Sequence, residues 1–132
     1  MPRGSRRFKM ILLVLGVLIV ALSGGMGYIT HGLGETEGLV INEVDFSSIP
    51  DGVYQGEFKG YRWSNKVEVV VESGRVKDIE MVEKQRFHLD RPVEQIISRI
   101  IEHQTLPVDV VTGATATSKA IMKSVENALK DR

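Results

Sequence analysis

The chain has 132 residues, enough for one domain and little else. Lys+Arg and Asp+Glu both number 17 and cysteine is absent, which excludes disulfides, thiolate catalysis and zinc-thiolate or iron–sulfur centres together. Four of the bases, Arg3, Arg6, Arg7 and Lys9, precede the first apolar stretch, so the rest is mildly acidic, which argues against a nucleic-acid partner.

Residues 1–9 read as a basic cytoplasmic tail. Residues 10–29, from Met10 to Ile29, carry no charge. As a helix of about 20 residues they rise about 30 Å, the thickness of a bilayer's hydrocarbon core. Basic residues ahead of the span and Glu35 and Glu37 behind it predict a single-pass transmembrane anchor, N-terminus inside and domain outside. The alternative is a cleaved secretory signal ending near Ala21-Leu22-Ser23. Either way the domain is extracytoplasmic.

Residues 30–49, with His31-Gly32-Leu33-Gly34-Glu35, read as a linker, and a domain over 50–132 opens at the turn Pro50-Asp51-Gly52. Three strands follow: Val53 to Phe58, Lys66 to Glu72 with Val67, Val69 and Val71 on one face, and Arg75 to Val82 after the turn Ser73-Gly74. A helix is predicted from Pro92 to His103, with Val93, Ile96, Ile97, Ile100 and Ile101 as its apolar stripe. A second, from Ser118 to Lys130, shows Ile121, Met122, Val125, Ala128 and Leu129 on one side. The expected fold is α+β: a small antiparallel sheet packed with two amphipathic helices, preceded by one transmembrane helix.

Between the helices runs Val108-Asp109-Val110-Val111-Thr112-Gly113-Ala114-Thr115-Ala116-Thr117-Ser118. It is an extended stretch entering a glycine turn, rich in hydroxyls, that opens into a helix. Helix starts offer unpaired N–H groups and partial positive charge to phosphate, and small residues let a phosphate approach the backbone. The plainer role for such a stretch is an N-cap, with Thr117 or Ser118 as the capping hydroxyl.

The sequence Asp109-x-x-Thr112-Gly113-Ala114-Thr115-x-Thr117-Ser118, followed by an amphipathic helix, resembles the flavinylation motif of FMN-binding domains. These occur in the C subunit of the sodium-pumping NADH:quinone reductase, in the G subunit of the Rnf complex and in short membrane-anchored carriers. Asp51-Gly52-Val53-Tyr54-Gln55-Gly56 and the hairpin with Ser73-Gly74 resemble the same family upstream. The resemblance implies that a flavin transferase takes FMN from FAD and joins it by a phosphoester to Thr115. The cofactor-binding residues it implies are Thr115, Asp109, Thr112, Gly113, Ala114, Thr117 and Ser118. Thr112 stands where serine is commoner, keeping the hydroxyl. The long insertions of the respiratory-complex subunits are missing, so the surface enclosing the isoalloxazine ring is expected to be thin.

Other conspicuous residues read as structural. Tyr61 and Trp63 read as aromatics closing a strand end rather than flavin stackers. His88 and His103 read as solvated, with no metal-ligand spacing, and Glu83-Lys84-Gln85-Arg86 as an exposed connection. Arg86 and Arg91 are weak candidates for a phosphate contact. No nucleophile–base pair is apparent, so no residue is assigned a catalytic role and the cofactor would carry the chemistry. The function expected is electron transfer by covalent FMN between a membrane donor and an external or membrane acceptor, protein or small molecule. The alternatives are a flavin-dependent reductase of a small soluble acceptor and a non-redox binding module.

Overall fold

The computed structural model describes residues 2–86 and 89–130. It divides into two compact units, Met1–His31 and Gly32–Arg132. The first is helix α1 (Pro2–Thr30). Its most apolar window of 18 residues has a mean hydropathy of 2.4 and is not buried, so by length and composition α1 suffices to cross a membrane.

In the second unit, strands β1 (Gly52–Phe58), β2 (Asn65–Glu72) and β3 (Arg75–Glu83) form an antiparallel sheet in the order β1-β2-β3. Side chains alternate across a strand, and β2 follows the rule: Val67, Val69 and Val71 are fully buried. Ser73 and Gly74 both have positive φ, 52° and 71°. That is the combination of a type I′ hairpin turn, whose twist matches the strands it joins. On β3 the buried Val76 and Ile79 are an odd number of residues apart, which a regular strand would send to opposite faces. The register against β2 shifts between Val70 and Val71, leaving Lys77 as the extra residue on β3. This bulge brings Val76 and Ile79 to the same side.

Helix α3 (Asp90–His103) buries Val93, Ile96 and Ile100, and helix α4 (Thr115–Lys130) buries Ile121, Met122, Val125, Ala128 and Leu129. Both join the β2 valines in one core. The α+β expectation is met. Two starts differ from the sequence expectation: α3 begins two residues before Pro92, and α4 begins at Thr115 rather than Ser118.

Close approach of α4 to the sheet depends on Gly56 in β1. A Cβ there would lie 2.2 Å from the Ser124 carbonyl oxygen, 2.3 Å from the Ala128 nitrogen and 2.7 Å from its Cα. Only hydrogen fits between this strand and this helix.

The stretch expected as a linker is folded from Gly32 onward. It forms the short helix α2 (Leu33–Glu37) and a 3-10 turn at Phe46–Ser48, and it buries Ile41, Phe46 and Ile49. Helix α4 holds it by one stripe of charged residues. Lys119 donates to the Leu39 carbonyl (3.1 Å), Lys123 to the Val40 carbonyl (3.3 Å), and Glu126 accepts from the Asn42 N–H (2.6 Å). Glu126 is 1% exposed and ion-paired with Lys123. Burial pushes its carboxyl up, but hydrogen bonds from Lys123 and Asn42 and the Lys123 charge outweigh this and hold it below the ordinary value.

Candidate functional site

The turn into α4 is assembled by one hydroxyl. Ser118 Oγ accepts from the Val111 N–H (3.0 Å) and donates to the Ala114 carbonyl (2.7 Å), tying the incoming strand-like segment to the first helical turn. Ala114 N–H closes the turn on the Val111 carbonyl (2.9 Å), with Gly113 at φ 79° between them. A non-glycine residue is strained at that φ, which is the local reason for glycine in the motif.

The first helical hydrogen bond is Ser118 N–H to the Ala114 carbonyl (2.9 Å). The N–H groups of Thr115, Ala116 and Thr117 therefore precede the helical ladder, at the positive end of a helix of 16 residues. Thr115 is the first residue of α4 and half-buried; Thr112 and Gly113 beside it are exposed. A Cβ built on Gly113 would meet nothing within 4 Å, so the space in front of the turn is open. A half-buried hydroxyl, orphan N–H donors and open space suit a phosphate ester.

The seven residues expected from the sequence do not share one situation. Thr112, Gly113, Ala114, Thr115 and Thr117 lie together at the turn and the first helical turn. Ser118 is fully buried and spent on the two bonds that shape the turn. Neither Thr117 nor Ser118 occupies the N-cap position, because the helix begins before them. Asp109 is exposed, six residues ahead of Thr115.

The backbone at Asp109 is anchored by a residue the sequence did not single out. Arg99 of α3 donates through Nη1 to the carbonyls of Asp109 (3.0 Å) and Val110 (2.8 Å), fixing the path of the segment that leads to the motif. Arg99 lies off the apolar stripe of α3, and nothing in the neighbouring sequence marks its target.

Trp63 is 3% exposed and packs with Ala116 and Ala120 of α4. It is thus a structural prop behind the first turn of α4, with the Arg62 guanidinium over its ring at 4.3 Å. Tyr61 differs: it is 51% exposed, at φ 56°. Gln85 is 3% exposed, a correction to the exposed connection expected over 83–86; the other three residues there are exposed. His103 and Arg91 are exposed, and His88 lies outside the described residues. Among the described residues no group of three or more His, Cys, Asp or Glu is arranged to hold a metal ion.

The FMN-binding domain model matches residues 20–130, well over half of the chain. An uncharacterized protein of Treponema pallidum (strain Nichols) is 30% identical over 86 residues, which cover 64% of this chain and 24% of that protein. The chain thus spans about a quarter of the length of this relative. The family match supports a flavin-binding protein whose cofactor is FMN: the chain belongs to the FMN-binding domain family.

Proposed function

We propose that Thr115 carries FMN through a phosphoester and that the domain is a membrane-tethered extracytoplasmic electron carrier. The observation that supports this best is the place of Thr115: a hydroxyl on the first residue of α4, among unpaired N–H groups and two residues from the open space at Gly113. In the attachment step Thr115 Oγ1 bonds to the phosphorus of the FMN half of FAD. The pyrophosphate bond breaks, AMP leaves with the bonding pair, and the hydroxyl proton passes to a base of the transferase.

The residues of this chain then have distinct tasks. Thr115 would hold the phosphate, the N–H groups of Ala116 and Thr117 would serve as its donors, and the small residues Gly113 and Ala114 would leave room for it. Ser118 and Arg99 position the turn. Bound FMN supplies the redox chemistry, and the protein supplies place and electrostatics. The apolar stretch of helix α1, with Arg3, Arg6, Arg7 and Lys9 ahead of that stretch, favours retention in the membrane with the domain outside. A tether raises the local concentration of the flavin near a membrane donor. The donor and the acceptor, protein or small molecule, are the remaining partners, besides the flavin transferase.

Co-expression of the full chain with an exported flavin transferase, followed by denaturation and intact mass measurement, tests the attachment. A gain equal to FMN minus water, absent in Thr115→Ala, is expected. An unmodified mass with a working transferase control would overturn it.

A further inference from the structure

A regular strand points successive carbonyls to opposite sides. The segment between α3 and α4 departs from that rule at one place. Arg99 Nη1 donates to the carbonyls of both Asp109 (3.0 Å) and Val110 (2.8 Å), so two successive carbonyl oxygens converge on a single nitrogen. The side chains agree. The neighbours Val110 and Val111 both pack against the core, where alternation would turn one of them outward. The backbone therefore bends at Asp109-Val110. Two carbonyl dipoles aimed at one point repel each other, and the permanent charge of a guanidinium at that point turns repulsion into attraction. Among the described residues no other donor reaches these two carbonyls.

The two ends of the bend are held independently. On the α3 side, Ile96 and Ile100 are fully buried. Gln104 accepts from the Val76 N–H (2.8 Å) and donates to the Val76 carbonyl (2.8 Å), tying the end of α3 to β3. On the α4 side, Ser118 holds the Val111 N–H. The path between them rests on Arg99. Asp109 itself is exposed, and its carboxylate has no hydrogen bond or ion pair among the described residues. Arg99 thus takes up the backbone of Asp109 and leaves its carboxylate free for a partner.

We propose that Arg99 is a positioning residue for the attachment of FMN: it holds the bend at Asp109-Val110, so that the flavin transferase meets the segment from Asp109 to Thr115 already in the shape it binds. The proposal rests on the reading of Thr115 above and adds the conformation in which the transferase receives the segment. A segment that holds its binding shape only part of the time is bound more weakly in proportion to that fraction. Geometry fixed from a rigid helix is kept better than geometry left to a loop. Once bound, the segment is also held by the transferase, so Arg99 bears on the encounter and not on the transfer step.

The test measures initial rates of attachment to the full chain in detergent, with purified flavin transferase and FAD, by intact mass over a range of chain concentrations. Arg99→Met keeps an apolar stem and removes the cation. Arg99→Gln removes it with a shorter polar side chain, and Trp63 emission shows which of the two is folded. In a folded variant KM for the chain is expected to rise about tenfold, as for a segment in its binding shape about a tenth of the time, with kcat nearly unchanged. Arg99→Lys is expected to restore most of the loss, because a single nitrogen makes both bonds. A role in packing alone would follow the apolar stem, and Arg99→Met would then match Arg99→Lys. Arg75→Met, which removes the same charge at the exposed start of β3, should leave both constants unchanged. An unchanged KM in a folded variant, or a fall in kcat alone, overturns the positioning role while Thr115 stands. Loss of the fold in both Arg99→Met and Arg99→Gln overturns it too, because Arg99 would then serve the fold. An unmodified mass in the unsubstituted chain, with a working transferase control, removes the reading of Thr115 and this role with it.

Discussion

Replacing Gly56 by alanine adds one methyl group where β1 meets α4, and the structure says how much must move. The new Cβ would sit 2.2–2.7 Å from three backbone atoms of Ser124 and Ala128, none of which can rotate aside as a side chain would. Relief requires α4 to lift off the sheet by about 1 Å, and dense cores resist such shifts. Overpacking typically costs about 1–3 kcal/mol, and contacts with backbone put this case at the upper end, about 3 kcal/mol. That is a large share of the 5–15 kcal/mol typical of a domain. Trp63, the single tryptophan, is buried against Ala116 and Ala120 of the same helix, so its fluorescence reports unfolding of the domain directly. In urea the Gly56→Ala midpoint should fall by about 1–3 M, for a slope of about 1–3 kcal/mol per M. Gly113→Ala is the comparison. It has open space but φ 79°, so only backbone strain of about 1–2 kcal/mol applies. A Gly56→Ala midpoint within error of the parent would refute the claim that this glycine sets the distance between helix and sheet.

Ser118→Ala leaves the buried Val111 N–H without its acceptor and should cost about 1–3 kcal/mol. It should also lower FMN incorporation measured by intact mass; Thr117→Ala, outside that bond pair, should leave stability nearly unchanged. Glu126 gives a pH dependence with a defined sign. Its folded-state value lies below the ordinary 4.5, so its contribution is fully present above about pH 4.5 and is lost as pH falls through the lower folded value. Urea midpoints taken from pH 6 downward should fall less steeply for Glu126→Gln than for the parent across that window. Parallel curves would show that Glu126 is not the group responsible.

Much of this protein was legible along the chain. The valines of β2, the isoleucines of α3 and the turn Ser73-Gly74 act through contacts a few residues apart or through simple periodicity, and such patterns survive in one dimension. The same holds for the apolar stretch of α1 and for the glycine turn at Gly113 that leads into α4. The bulge at Lys77 was hidden only in part, since the odd spacing of Val76 and Ile79 is visible once alternation is taken strictly.

What tertiary structure alone decided are pairings between residues far apart in sequence. Lys119, Lys123 and Glu126 carry no local mark of their targets, yet they grip residues 39–42, some 80 positions upstream. Ile41, Phe46 and Ile49 are too sparse to form a periodic pattern, so the segment that holds them resembled a linker until the core received them. Ser118 reads from the sequence as a cap or a cofactor-binding residue, and only the position of the Val111 N–H shows that it ties the turn. Arg99 and the split between buried Trp63 and exposed Tyr61 belong to the same class. Local propensity follows from each residue and its near neighbours, whereas burial and hydrogen-bond partners depend on which distant surfaces meet, and that is fixed when the helices close on the sheet.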